Sequence, residues 1–163
     1  MAPTSPGRLP TSALMLGVRR AGNWLNLSTP LGLAVAMVGG ARLRRGPRGL
    51  WLAEGYRAGV PDAAMFTIGN VVTTHHPDAL AHLAARPGLL EHEDSHAWQW
   101  TLCVGLFFLP LYWGACAWSV LRHGDSASGN VFERQAGLVD GRYTEHPARP
   151  LRPVLASLLR RLH

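Results

Sequence analysis

Uncharged runs alternate with short polar stretches along this chain, and their lengths set the elements to expect. Residues 24–41 carry no charge, but only 31–40 is continuously apolar, short of the ~20 residues that cross a bilayer. Arg42, Arg44, Arg45 and Arg48 follow, as a cytoplasmic flank after a membrane-embedded helix or the solvated end of a helix would. Residues 64–74 read as a β-hairpin: Met65-Phe66-Thr67-Ile68, a Gly69-Asn70 turn, then Val71-Val72-Thr73-Thr74. His75 and His76 close it as exposed loop histidines. Asp78 can cap a helix over 79–85, which Pro87-Gly88 ends. A central helix is expected over 89–109, with Pro110 forcing a kink or break before a second apolar piece, 111–121. Residues 97–121 are free of charge, a run long enough to cross a bilayer and equally able to form two helices packed as a hairpin. Asn130 can cap a further helix carrying Val131, Phe132 and Glu133.

These elements predict a mainly α chain with a small β-hairpin, organised as one membrane-associated domain over residues 13–145. Residues 1–12, rich in Pro, Ser and Thr, read as a disordered terminus. Residues 146–163 read as a basic Pro-rich tail with a short amphipathic helix at 154–162. The apolar run 13–18 is short, and Arg19-Arg20 follow it rather than precede it, which does not suit a secretory signal.

One polar cluster opens the long uncharged run. His92-Glu93-Asp94-Ser95-His96 is an H-E-x-x-H motif, and on a helix residues i and i+4 share a face, so both imidazoles can reach one metal ion. Glu93, on the flank, can take a proton from a water activated there. The plainer alternative is a solvated helix start with Glu91, His92, Glu93 and Asp94 facing water. Against it, the motif runs straight into apolar chain, and polar groups at the mouth of a buried helix need partners. Glu91 and Asp94 depart from the uncharged residues usual around this motif in peptidases, and bear on proteolysis more than on metal binding.

Composition adds a charge of +6 and a pI near 10.6. Every basic residue is arginine, the bias of a high-GC bacterial genome. The arginines scatter without an aromatic platform or a recognised nucleic-acid motif, so no nucleic-acid partner is expected. Cys103 and Cys116 sit in the apolar run as small hydrophobes, without zinc-finger spacing. The expected location is the bacterial cell membrane, or otherwise the cytoplasm.

A catalytic Zn2+ takes three protein ligands and one water. The candidates after His96 are His123, Asp125, Glu133 and Asp140. Glu133 is favoured, because it starts its own helix after a hairpin's length of apolar chain and can return to the first helix. Its alternative role is a salt bridge with Arg134 or Arg142. Asp140, and Gln99 at i+3 from His96, are expected to orient the histidines from behind.

His92, Glu93, His96 and Gln99, with the later Asn130, Phe132, Glu133 and Ala136, resemble uncharacterised bacterial zincin-like proteins related in pattern to the gluzincin metallopeptidases. The resemblance covers about residues 67–143. It implies a zincin-like active-site helix, then a kinked apolar hairpin and a third-ligand helix, with His92, His96 and Glu133 on zinc and Glu93 as general base. The chain departs from the pattern in having no Asp four residues after Glu133. The expected function is a zinc-dependent, metallopeptidase-like hydrolase acting on a peptide or protein. Tyr143, Tyr112, His123 and Arg134 are the candidate oxyanion donors. The alternative is a structural zinc site, which His123 or Asp140 would complete as a fourth ligand.

Overall fold

The computed structural model describes residues 12–59, 61 and 63–151. The terminus expected to be disordered, up to residue 11, and the amphipathic piece at 154–162 lie outside the described residues. Ser12 caps α1 (Ala13–Leu25), its hydroxyl accepting from the Met15 amide. The chain turns at Leu27 into α2 (Ser28–Val38), which ends at Gly39-Gly40.

Four short strands follow: β1 (Arg42–Arg45), β2 (Trp51–Glu54), β3 (Met65–Ile68) and β4 (Val71–Thr74), in the order β1-β2-β4-β3. The expected hairpin is β3–β4, and β4 also pairs in parallel with β2, while β1 joins β2 antiparallel. The arginine cluster is therefore not a flank of a helix but an edge strand. Its pattern explains this: Leu43 packs inward with Ala36, Ala53 and Val71, while Arg44 pairs with Glu54 at 3.2 Å and Arg45 lies 3.6 Å over the Trp51 ring. A cationic edge also resists pairing with other strands.

The two faces of the sheet bury different partners. Ala53 and Val71 meet α2 on one side. Leu52, Met65 and Val72 meet α3 (Ala79–Ala84) and α4 (Leu89–Leu102) on the other, against Ala79, Leu83, Leu89 and Ala97. The Asp78 side chain caps α3 by accepting from the Ala81 amide at 3.0 Å.

The central helix stops at Leu102, seven residues before the expected end. Val104 and Gly105 adopt positive φ, and the chain bends by 113° into α5 (Phe108–His123). Pro110 is not the cause. It lies in the first turn of α5, where the missing N–H has no helical partner to lose. Among the described residues no single helix is long and apolar enough to cross a membrane. α6 (Val131–Ala136) starts at Asn130, whose side chain accepts from the Phe132 amide. The fold is mainly helical with a small mixed four-stranded sheet.

Candidate metal centre

His92 and His96 lie one turn apart on α4, both buried, with their Nε2 atoms 3.0 Å apart. α6 packs on α4 and delivers Glu133, whose Oε2 is 3.4 Å from His92 Nε2 and whose Oε1 is 3.6 Å from His96 Nε2. These three side chains form a group able to hold a metal ion.

The outer ring nitrogens decide what the inner ones can do. His92 Nδ1 lies 3.0 Å from the Gly137 carbonyl, which can only accept, so Nδ1 carries the proton. His96 Nδ1 faces Gln99 Oε1 at 2.8 Å. The Gln99 amide nitrogen donates to the Phe132 carbonyl at 2.9 Å, so its oxygen is the end turned to His96, and His96 Nδ1 donates as well. The ring nitrogen left to face the carboxylate is Nε2 in both histidines, and in the neutral form of either ring it presents a lone pair. Tyr112 donates to Glu133 Oε1 at 2.6 Å, but Glu133 Oε2 is buried without a hydrogen-bond partner. Acceptors converging in this way call for a cation among them, either a shared proton or a metal.

One ligand atom from each of the three residues lies within 4.8 Å of the others, close enough for bonds of ~2.0 Å to a single zinc ion. The donor set, two imidazoles and one carboxylate, is one that zinc takes in catalytic sites. The residues present fit the ion.

Electrostatics follow the same geometry. Burial alone would raise the Glu133 carboxyl. The two imidazole rings beside it, the His96 charge and the Tyr112 hydroxyl outweigh it and hold the group well below the usual carboxylate range. Burial lowers His96, but its hydrogen bond to Glu133, the Glu133 and Glu93 charges and Gln99 raise it overall. Burial and the Glu133 charge raise the Tyr112 and Tyr143 hydroxyls.

Glu93 is buried on the flank of the pair, with its Oε2 accepting from the Thr67 hydroxyl of β3 at 2.6 Å. Seven residues on, Trp100 donates from Nε1 to the Thr67 carbonyl at 2.9 Å, so one face of α4 grips one strand residue twice. The sequence holds a signal for Thr67: β3 alternates, with Met65 and Thr67 inward, and a polar residue in an inward position needs a partner.

The remaining expectations separate clearly. Gln99 joins His96 to α6, as described. Asp140 lies instead against the α4 N-terminus, where a Cβ on Gly88 would strike its carboxylate, and the acceptor facing His92 is the Gly137 carbonyl. Gly137 stands four residues after Glu133. Gly141 packs flat on the His92 ring, leaving no room for a side chain. Tyr143 follows, its ring 6.1 Å from that of His92. Neither Gly137 nor Gly141 could be found from residue type, because one acts through its backbone and the other through having no side chain. His123 donates to the His146 carbonyl at 2.7 Å, and Asp125 Oδ1 accepts from the Ala127 and Ser128 amides, so both are committed elsewhere. Arg134 pairs with Glu145 rather than Glu133. The extra carboxylates of the motif point away from the histidines: Asp94 pairs with Arg19 and Arg48, and Glu91 with Arg48.

No protein-family model matches this chain, and no curated protein and no solved structure matches it either.

Proposed function

We propose that the protein is a zinc-dependent hydrolase of the zincin-like, metallopeptidase type, with His92, His96 and Glu133 holding the ion. The observation that carries this reading is the convergence of two buried ring nitrogens on a buried carboxylate that has one oxygen unpartnered among the described residues. Zinc bound there supplies Lewis acidity, which acidifies water and polarises a carbonyl. Glu93 is the proton acceptor for the attacking water, and the Thr67 hydroxyl fixes the position of its carboxylate. The Gly137 carbonyl and Gln99 hold the two rings in the tautomer that binds metal. Tyr112 is engaged by Glu133, and His123 and Arg134 face away, which leaves Tyr143 as the donor beside His92 for a developing oxyanion.

A second reading has its own support. His92, Glu93 and Glu133 are 2–3% exposed, so zinc here would also staple α6 to α4, stabilising the fold whatever its chemistry.

Glu93→Gln separates the two. On the hydrolase reading the purified variant keeps its zinc, by elemental analysis, and loses at least about 100-fold in kcat on peptide substrates, while His92→Ala loses the metal. An active Glu93→Gln protein would rule out the general-base role, and zinc-free wild-type protein would rule out both readings.

A further inference from the structure

α1 is built with its polarity reversed. Its inward side carries Arg19 and Asn23, both fully buried, while Leu14, Val18 and Leu25 face outward together with Arg20, and Leu25 is 84% exposed. The inward groups are partnered, Arg19 by Asp94, with its Nε left without a hydrogen bond among the described residues, and Asn23 by the Ala97 carbonyl at 2.8 Å and by Asn70 at 3.2 Å. A helix whose solvent is water shows the opposite arrangement. Polar residues inside and apolar residues outside mark a helix whose solvent is lipid. α2 buries Ser28, Thr29, Gly32 and Ala36 and exposes Met37 and Val38 at its end.

Two apolar turns lie side by side at one end of the molecule. Asn26 Nδ2 donates to the Trp100 carbonyl at 3.1 Å, and a Cβ on Gly105 would come within 2.6 Å of the Asn26 carbonyl. The α1–α2 turn projects Leu25 and Leu27. The α4–α5 turn projects Leu102, Val104, Leu106 and Phe107, with Phe107 70% exposed. Leu27 and Val104 hold φ of 65° and 54°, a left-handed conformation that glycine or asparagine would adopt at less cost. Placing large apolar side chains there makes sense when those side chains are needed outside the fold.

The environment they suit is graded. Residues 21–41 and 97–121 contain no charged group, so nothing charged is carried with the turns into an apolar phase. After the exposed Phe107, α5 exposes Leu111, Trp113 and Trp118 and ends at the half-buried Arg122 and His123, with Arg122 5.8 Å from the Trp118 ring. Apolar tip, tryptophan belt and cationic end follow the order of acyl chains, interface and anionic headgroups. α4 and α5 together have the length and composition of a membrane segment but fold back at 113°. Each is about 20–24 Å long, short of a ~30 Å hydrocarbon core.

We propose that the paired turns insert into one leaflet of a lipid bilayer, making the protein monotopic: it enters the membrane and returns on the same side. Six residues of α4, about 9 Å of helix, separate His96 from Leu102 at the tip.

The test is flotation of the full chain with vesicles of phosphatidylcholine and phosphatidylglycerol, combined with tryptophan quenching by lipids brominated at defined depths. Wild-type protein is expected to float in high as well as low salt, with quenching by acyl-chain bromine. The Leu25→Asp/Phe107→Asp variant is expected to partition roughly 100-fold more weakly with unchanged circular dichroism, because both side chains lie outside the packed core. Four results would overturn the proposal. These are wild-type protein left unfloated, binding lost in high salt, binding unaffected by the double substitution, or a solution dimer that shields the tryptophans from quenching.

Discussion

Thr67 shows how much can rest on one hydroxyl. It holds Glu93 Oε2 at 2.6 Å while its carbonyl receives Trp100. A hydrogen bond to a charged group contributes about 1.5–3 kcal/mol. Thr67→Val, which keeps the shape, is therefore expected to lower kcat by roughly 10- to 100-fold with KM and zinc stoichiometry unchanged. Parental kinetics in this variant would reduce Thr67 to a packing residue. The pairing of His92 with His96 was legible because helical geometry makes the i, i+4 spacing a statement about direction. The support behind them was not, since the Gly137 carbonyl and the bare face of Gly141 carry no residue-type signal.

Between elements, α4 is clamped on several sides, by α1, β3 and α6. The α1 clamp is ionic: Arg19, Asp94 and Arg48 form a network in which Arg19 is fully buried. Burial, then the nearby Arg48 and Arg20 charges, lower the Arg19 guanidinium to about 10, so it stays charged at neutral pH. Removing one member strands the other. Arg19→Met is expected to cost roughly 3 kcal/mol in denaturant unfolding, with the Arg19→Met/Asp94→Leu double variant recovering most of it. Equal loss in both would mean that packing, not charge, makes this joint. Asp94 inside the H-E-x-x-H motif, an anomaly for a peptidase, is thus the attachment point of the first helix. Other joints were misread for physical reasons. The bend after Leu102 follows from the positive φ of Val104 and Gly105, whereas Pro110 is harmless in a first turn. The arginine cluster became a strand because Leu43 had an inward site on the sheet.

For the molecule as a whole, the metal should reverse the pH dependence of stability. In metal-free protein the Glu133 carboxyl is held low and the His96 ring is raised. A depressed carboxyl stabilises above its unfolded value, ~4.3, and loses this as pH falls through the folded one. A raised histidine stabilises below ~6.5 and loses this as pH climbs through its folded value. The chelated protein is therefore expected to be most stable between about pH 4.3 and 6.5 and to weaken above that window. Zinc needs both rings neutral, so the rise in Tm at a fixed zinc concentration should grow from pH 6 to 8, and the stabilisation behind it reaches about 4 kcal/mol where zinc is in thousand-fold excess over Kd. Calorimetry of chelated and zinc-loaded protein checks this. Parallel curves for the two forms would place the bound zinc somewhere other than these side chains.

The amino-acid order alone dictated the local features: the helical pairing of His92 with His96, the caps at Asp78 and Asn130, the β3–β4 turn at Gly69-Asn70, and the charge-free runs. Each depends on neighbours within a few residues, where backbone geometry translates spacing into direction. Convergence of Glu133 on the histidines, the parallel pairing of β2 with β4, the outward turn of the apolar side of α1 and the juxtaposition of two apolar turns were decided by packing. Contacts between residues tens of positions apart depend on how faces are matched, and periodicity along one segment does not specify which face meets which.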